Sequence, residues 1–183
     1  MRLTKVFLLA VLLTALPSRA ETAIGAHITV DRVFTLEASP IGVDLFVQTS
    51  LSRTLAFEAA TSYRRNSTHG IGGGYSYSIT TDQFPILLGI AYLPIVGHPV
   101  RPWIGAGVVV APEFNSTQYS PGERYSDTKV TYGIHLSAGV QASMSDEWLA
   151  DAGVRYVPPM ASSTSSQLGY SFLRVQAGIA RRF

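Results

Sequence analysis

Residues 173–183 read Leu-Arg-Val-Gln-Ala-Gly-Ile-Ala-Arg-Arg-Phe and end on an aromatic residue. Successive side chains of an extended strand point to opposite faces. One face of this strand therefore carries Leu173, Val175, Ala177, Ile179 and Phe183, and the other carries Arg174, Gln176, Gly178, Ala180 and Arg182. Arg181 interrupts the apolar face near the terminus, where a long basic side chain can reach an aqueous interface. The pattern predicts a strand with lipid on one side and a polar interior on the other.

The same alternation recurs along the chain and predicts an even number of strands, as closed bacterial barrels require. The eight segments lie near residues 24–34, 41–51, 54–65, 83–95, 102–113, 128–143, 148–158 and 170–183. Short turns at 52–53, 97–101 and 145–147 alternate with longer loops at 66–82, 114–127 and 159–169, and the first outer loop, 35–40, is short. Short periplasmic turns and longer outer loops are typical of outer-membrane barrels. The predicted fold class is all-β, an eight-stranded antiparallel transmembrane β-barrel.

The first 20 residues predict a secretory signal peptide, so the expected domains are 1–20 as the signal and 21–183 as the barrel. Arg2 and Lys5 precede an apolar run that is too short to span a bilayer, and Ser18-Arg19-Ala20 fits a cleavage site. Of the 14 basic residues, Arg2, Lys5 and Arg19 lie in this segment, which leaves 11 against 12 acidic residues and a net charge of −1. The chain has no cysteine and no basic patch, so a lipoprotein signal, a disulfide framework and a nucleic-acid partner are all disfavoured.

The predicted lipid-facing positions carry no charge at mid-strand, where a basic residue would cost about 2–4 kcal/mol. A soluble β-sandwich, the alternative fold, has no need of that restriction. Outward aromatic residues also fall at two levels, as in the interfacial girdles of membrane proteins. The periplasmic level contains Phe57, Tyr92, Trp148 and Phe183, and the outer level contains Tyr63, Phe84, Tyr132 and Tyr156.

Charged residues of both signs have the inward parity, and an eight-stranded barrel is only wide enough for side chains to fill it or for one small ligand. We expect Arg155 and Arg174, at similar height on neighbouring strands, to pair with Glu58, Asp44 or Asp151. This lumen polar network predicts either a gate for ions or a satisfied polar core, and the second interpretation is favoured.

His135 and Ser137 lie two residues apart on one predicted strand and could supply a base and a nucleophile. The pair resembles the site of the lipid A deacylase PagL, which is another eight-stranded barrel. Here, however, the pair lies on the sixth strand, Ala138 follows where that family has Asn, and the parity turns both side chains inward. No carboxylate is evident to orient the histidine, so neither is assigned a catalytic role. No two histidines have metal-site spacing, and no metal or cofactor is expected.

The chain resembles the small outer-membrane barrels that include the OmpA transmembrane domain, OmpX and OmpW, over residues 23–183. The most specific segments are 101–107, Arg-Pro-Trp-Ile-Gly-Ala-Gly, and 151–156, Asp-Ala-Gly-Val-Arg-Tyr, together with the closing Phe183. The resemblance implies the fold, an outer-membrane location in Gram-negative bacteria, and contact with membrane lipid and lipopolysaccharide. It also implies that the C-terminal strand, ending in Phe183, is the signal for the barrel-assembly machinery.

Three functions are open on this basis, because the motifs identify a fold and no activity. The favoured one is a non-enzymatic barrel with a plugged interior whose surface loops, above all 66–82 and 114–127, act in adhesion, defence or envelope integrity, with an extracellular ligand or a host surface as partner. The second is an OmpW-like, porin-like channel for small or hydrophobic molecules. The third is a lipid A-modifying enzyme, which depends on His135 and Ser137 alone.

Overall fold

The computed structural model describes residues 21–33, 41–72, 75–95, 97–119, 122–159, 161–162 and 171–183. These residues form eleven strands: β1 Thr22–Val33, β2 Ile41–Ser50, β3 Leu55–Ser62, β4 Arg64–Gly72, β5 Tyr75–Gln83, β6 Ile86–Tyr92, β7 Val100–Tyr119, β8 Arg124–Ser143, β9 Trp148–Val157, β10 Ala161–Ser162 and β11 Phe172–Arg182. The signal peptide predicted at 1–20 and the first outer loop at 35–40 lie outside the described residues, as does most of 159–169. Within the described part, no helix is long and apolar enough to cross a membrane.

Eight antiparallel strands form a closed ring, which confirms the predicted fold class. The order around the ring is β1, β2, β3, β6, β7, β8, β9 and β11, and β11 pairs with β1 from Ala23↔Arg182 to Val33↔Phe172. The backbone of Phe183 continues this seam, because its N–H donates to the carbonyl of Thr22 at 2.8 Å. Closure leaves no unpaired sheet edge facing lipid.

The predicted outer loops at 66–82 and 114–127 are wrong, because most of these residues are strand. After Tyr63 the chain continues from β3 into β4, which pairs with β5 from Arg64↔Gln83 to Gly72↔Tyr75. β7 and β8 stay paired as far as Gln118↔Arg124. Loops were predicted from Ser, Thr, Gly and Asn content, but a strand pair that has left the membrane needs no apolar face, so its composition is polar on both sides.

β5 pairs with the outer part of β7, from Gln83↔Glu113 to Tyr77↔Tyr119, so four strands continue beyond the ring. We call this extension the outer sheet; it comprises β4, β5, residues 113–119 of β7 and residues 124–129 of β8. The long ends of outer-membrane barrels are extracellular, so the outer sheet is expected on the extracellular side.

The predicted register is confirmed on both sides of the wall. Ile28, Leu45, Ile104 and Ile134, all predicted to face lipid, are between 57% and 67% exposed. The side chains at the opposite parity are buried inside the barrel. At the outer rim Tyr63 contacts Phe84 at 5.1 Å between ring centroids, and Phe84 contacts Phe114 at 6.0 Å, as expected for an interfacial aromatic girdle.

A tryptophan packs across two glycines near the periplasmic end of the lumen. Trp103, Gly139 and Gly153 lie in one row of the β7, β8 and β9 ladders. A Cβ at Gly139 would lie 2.7 Å from Trp103 Cζ2, and one at Gly153 would lie 2.9 Å from it. The missing side chains therefore make the space that the buried indole fills.

We expect Gly153→Ala to destabilise the barrel by about 1–3 kcal/mol, because the added methyl group forces Trp103 out of its position. The measurement is the urea midpoint of unfolding in lipid vesicles, followed by tryptophan fluorescence. Ala152→Val is the matched control, since Ala152 faces lipid on the same strand; it should change the free energy of unfolding by less than about 0.5 kcal/mol. Equal losses in the two variants would contradict the packing argument.

Candidate functional site

The largest polar cluster inside the barrel joins two arginines and two aspartates. Arg174 of β11 is fully buried; its Nε donates to Asp31 Oδ1 at 2.8 Å, and its Nη1 pairs with Asp44. Arg64 Nη2 lies 2.9 Å from Asp31 Oδ2. Phe172 packs against both guanidinium groups, with its ring centroid 4.5 Å from Arg64 Cζ and 5.5 Å from Arg174 Cζ. The formal charges cancel, as buried ionic groups require.

Two further contacts span the full width of the lumen. Arg155 of β9 pairs with Glu58 of β3, and Gln141 Nε2 of β8 donates to Gln48 Oε1 of β2 at 2.8 Å. Each contact joins strands that are four positions apart in a ring of eight, which are opposite walls. Among the described residues, side chains therefore bridge the barrel from wall to wall at these two places.

Asp151 belongs to a separate cluster on the periplasmic side of these pairs. Its two carboxylate oxygens contact His27 Nε2 and Trp103 Nε1, each at 3.0 Å. His27 in turn stacks on Phe46 with 4.1 Å between ring centroids. A neighbouring apolar group of Ala56, Ala91, Leu93 and Trp103 fills this end of the barrel.

The structure places all five predicted network residues in the lumen and distributes them among three separate groups. Glu58 is with Arg155, Asp44 is with Arg174, and Asp151 contacts a histidine and a tryptophan in place of an arginine. Neither Arg64 nor Asp31 was assigned to the predicted network, although both lie in predicted strands, 54–65 and 24–34. Inward parity alone could have signalled both residues, since Tyr63 faces lipid and Arg64 therefore faces the lumen.

A second unpredicted carboxylate lies near the outer end of the lumen. Glu113 is fully buried, accepts a hydrogen bond from Thr131 Oγ1 at 3.0 Å and lies 3.1 Å from Lys129 Nζ. The ladder continues from Glu113 to Gln83 and then to Arg64. A polar row thus crosses four strands at the level where the outer sheet leaves the ring.

His135 and Ser137 both point into the lumen, as their parity predicts. His135 is 3% exposed and lies opposite Gly107, and Ser137 lies opposite Gly105 on one side and Arg155 on the other. Neither ring nitrogen of His135 hydrogen-bonds to a carboxylate among the described residues. Within the part of the chain that the structure describes, the pair therefore has no orienting acid, and both side chains face the lumen. Within the same residues, no group of three His, Cys, Asp or Glu side chains could hold a metal ion.

The outer sheet has two polar faces of different character. The face continuous with the lipid side carries hydroxyl groups and one loose ion pair: Ser67 contacts Thr80 at 3.4 Å, and Arg65 Nε lies 3.7 Å from Asp82. Thr128 also belongs to this face.

The face continuous with the lumen carries tyrosines instead. Tyr119 lies between Tyr77, at 6.3 Å, and Tyr125, at 5.9 Å between ring centroids. The Tyr125 hydroxyl donates to Glu123 Oε2 at 3.1 Å, and this hydrogen bond raises the pKa of Tyr125. A cleft of about 610 Å³ at the strand ends is lined by residues of both faces, among them His69, Ser78 and Gln118 of the face continuous with the lipid side.

Phe183, the predicted C-terminal signal, is 69% exposed at the periplasmic end of the seam. Its ring packs against Arg181, with Cζ of the arginine 5.4 Å from the ring centroid. The backbone of Phe183 is bonded to β1, so the terminal aromatic side chain is displayed at the interface while its main chain belongs to the closing ladder.

Known structures share this fold at low sequence identity. Ail, the attachment invasion locus protein of Yersinia pestis, solved with the heparin analogue sucrose octasulfate, is 14% identical with a TM-score of 0.56, over 90% of this chain and 97% of that one. OprG, an outer membrane protein of Pseudomonas aeruginosa, is 14% identical with a TM-score of 0.60, over 90% of this chain and 95% of that one. Neisserial surface protein A is 16% identical with a TM-score of 0.55, over 90% of this chain and 97% of that one.

These similarities concern the fold alone, and a comparison with curated protein sequences finds no match. A family model described as the outer membrane protein beta-barrel domain matches residues 6–183, which is nearly the whole chain. With the closed ring, the lipid-facing apolar band and the polar lumen, this match shows that the chain belongs to the family of outer-membrane β-barrel proteins.

Proposed function

We propose that this protein is a non-enzymatic outer-membrane barrel with a plugged lumen that attaches to extracellular surfaces through its outer sheet. The observation that carries the proposal is the contrast between the two halves of the molecule. Inside the membrane, arginines pair with carboxylates in the lumen. Outside it, four strands continue as a paired sheet whose polar side chains are presented to solvent.

The lumen contacts support the plug. Arg155 with Glu58 and Gln141 with Gln48 bridge opposite walls, and the Arg174 cluster lies beside them. Removing one partner of a buried ion pair costs about 3–5 kcal/mol. The ion pairs of Arg155 and Arg174 are therefore expected to stay closed to solutes.

The outer sheet supports a role in binding. Strand pairing gives it a more defined shape than a loop of the same length, and pre-organised surfaces lose less entropy when they bind. Two of the similar barrels carry names that refer to a surface role, namely the attachment invasion locus protein and the neisserial surface protein. They provide a precedent for this fold in such a role.

A second candidate function, passage of small or hydrophobic molecules through the barrel wall, is favoured by one local feature. At the outer rim the chain breaks its strand structure twice, between β3 and β4 and between β5 and β6. Pro85 and Pro112 lie at this level, and neither has a backbone N–H to donate to the sheet. The wall there is held by two bonds, from Ser62 N to the Pro85 carbonyl at 3.3 Å and from Phe84 N to the Pro112 carbonyl at 3.1 Å. A flux measurement distinguishes the two functions.

We expect the protein lacking residues 1–20, refolded in lipid vesicles, to conduct neither ions nor small apolar solutes. The double variant Glu58→Ala, Arg155→Ala should conduct ions, because it removes both side chains of a wall-to-wall bridge and leaves no buried charge unpaired. A heat-dependent shift in gel mobility verifies that each barrel is closed. Ion or solute flux through the wild-type protein would contradict the plug and favour the channel.

We expect bacteria that display a shortened variant, with residues 67–80 replaced by Asn-Gly, to lose attachment to host-cell surfaces. The replacement removes most of β4 and β5 and leaves the ring strands intact, and Asn-Gly suits a two-residue hairpin turn. The Glu58→Ala, Arg155→Ala variant is the matched control, since it alters the lumen and retains the outer sheet. Full attachment by the shortened variant would overturn the proposed function.

A further inference from the structure

We propose that the free edge of β4 pairs antiparallel with the β4 strand of a second copy of this protein in a facing membrane. The inference goes beyond the proposed function, because attachment to a foreign surface needs no second copy. β4 is the last strand of its sheet, and among the described residues no strand pairs with its other side. The β2–β3 ladder ends at Asp44↔Ser62, so within that part of the chain the edge is open from Arg64 to Gly72.

The hydrogen bonds of the neighbouring ladder show which backbone groups point out of this edge. Phe84 N donates to the Pro112 carbonyl at 3.1 Å, and this pair continues the β5–β7 register. Even-numbered residues of β5 therefore direct their backbone groups at β7, and odd-numbered residues direct theirs at β4. Odd-numbered residues of β5 lie opposite even-numbered residues of β4. The odd-numbered residues of β4 therefore direct N–H and C=O outwards: Arg65, Ser67, His69 and Ile71.

The edge lacks several features that usually keep strands from pairing with other chains. β4 contains no Lys and no Pro, and its register with β5 runs without a bulge from Arg64↔Gln83 to Gly72↔Tyr75. Ile71 is 85% exposed and lies beyond the lipid-facing belt, near the far end of the strand. An exposed apolar side chain and a row of outward backbone groups thus share one edge.

One antiparallel register brings every outward residue of β4 opposite an outward residue of the second copy. In this register Arg65 lies opposite Ile71, and Ser67 lies opposite His69. Each of these pairs occurs twice, about a twofold axis at position 68. The outward N–H and C=O groups of both strands are then all hydrogen-bonded, as in an ordinary antiparallel ladder.

The charges of β4 are compatible with this register. Its two arginines, Arg64 and Arg65, lie opposite Gly72 and Ile71 of the second copy, so no arginine faces another. Like charges directly opposite each other would destabilise the pair. The alkyl part of Arg65 also covers apolar surface of the exposed Ile71. The strand is therefore complementary to itself in both backbone and charge.

The direction of β4 determines where the second copy lies. In each copy β4 runs away from the membrane, from Arg64 at the rim to Gly72. Copies in one membrane therefore have β4 strands that leave it in the same direction, and these strands cannot pair antiparallel. Copies in facing membranes have opposite directions, and a twofold axis relates them as in an isologous interface. The pairing therefore joins two cells.

The first test is self-association of the refolded protein lacking residues 1–20, in lipid nanodiscs that each hold one barrel. Sedimentation velocity should detect a species of two discs. Ser67→Pro should reduce its association constant about tenfold or more, because each interface contains this residue twice and proline removes its outward N–H without removing a bond to β5.

The matched control is Ser126→Pro, at the opposite edge of the outer sheet. Tyr119 N donates to the Glu123 carbonyl at 2.8 Å, so odd-numbered residues of β8 direct their backbone groups at β7 and Ser126 directs its N–H away from it. Ser126→Pro should leave the two-disc species unchanged. The heat-dependent gel shift verifies that each variant is folded.

The second test determines the register. The chain has no cysteine, so a single introduced thiol can react only with its copy. Position 68 lies opposite itself in a pair without hydrogen bonds, where the Cα atoms are about 4.5 Å apart, within the range of a disulfide. Thr68→Cys should therefore form a covalent dimer between discs when copper phenanthroline is added as the oxidant. Ser126→Cys should form none.

Three results would each overturn the inference: no two-disc species in the wild type, equal association by Ser67→Pro, or a covalent dimer of Ser126→Cys in place of Thr68→Cys. An edge that accepts only extended segments of other proteins would give the first result. On cells, bacteria that display the protein should clump with one another and leave out labelled bacteria that lack it. Clumps that include the labelled cells equally would contradict a second copy as the partner.

The proposed function fails or stands separately from this pairing. If no two-disc species forms while the shortened variant loses attachment to host cells, only the inference is wrong. If the two-disc species forms while the shortened variant attaches to host cells fully, the inference stands and the proposed function is wrong.

Discussion

The hydrogen-bonded seam between β1 and β11 is the constraint on which the rest of the structure depends. A backbone N–H or C=O left unpaired in lipid costs several kcal/mol, so a membrane sheet must close on itself. Eleven register pairs join the two strands, and the main chain of Phe183 adds a further bond to Thr22. Closure with eight strands then sets a lumen just wide enough for side chains to fill it or for one small ligand.

The contents of the lumen follow from that width. Long side chains from opposite walls meet, as Arg155 and Glu58 do, and small residues make room where a large ring crosses, as at Gly139 and Gly153 beneath Trp103. Burial in a narrow, poorly hydrated space makes an unpaired charge expensive, so Asp31, Asp44 and Glu58 are each paired with an arginine. The contacts that stabilise the fold therefore lie inside the lumen, which is why we propose that it is plugged.

Beyond the membrane the constraint is relaxed, and the sheet changes accordingly. β4, β5 and the outer parts of β7 and β8 meet water on both faces, so hydroxyl, amide and tyrosine side chains replace the alternation of apolar and polar residues. Backbone pairing and cross-strand contacts, such as that of Tyr77 with Tyr119, hold these strands in a defined shape. The side chains of the outer sheet need neither face lipid nor fill the lumen, so they are available for recognition. This is the physical basis of the proposed attachment.

The sequence by itself determined the membrane-spanning part. Alternation of the kind seen in residues 173–183 depends only on the period of an extended strand and on the contrast between lipid and lumen, so strand number, register and the inward position of Asp44, Glu58, Asp151, Arg155 and Arg174 could be predicted from it. Tertiary structure alone decided which of these side chains meet, because partners such as Arg174 and Asp44 are brought together by ring closure across 130 residues of chain. It also decided the outer sheet, since pairing between polar strands leaves no hydrophobic period to detect in residues 66–82 and 114–127.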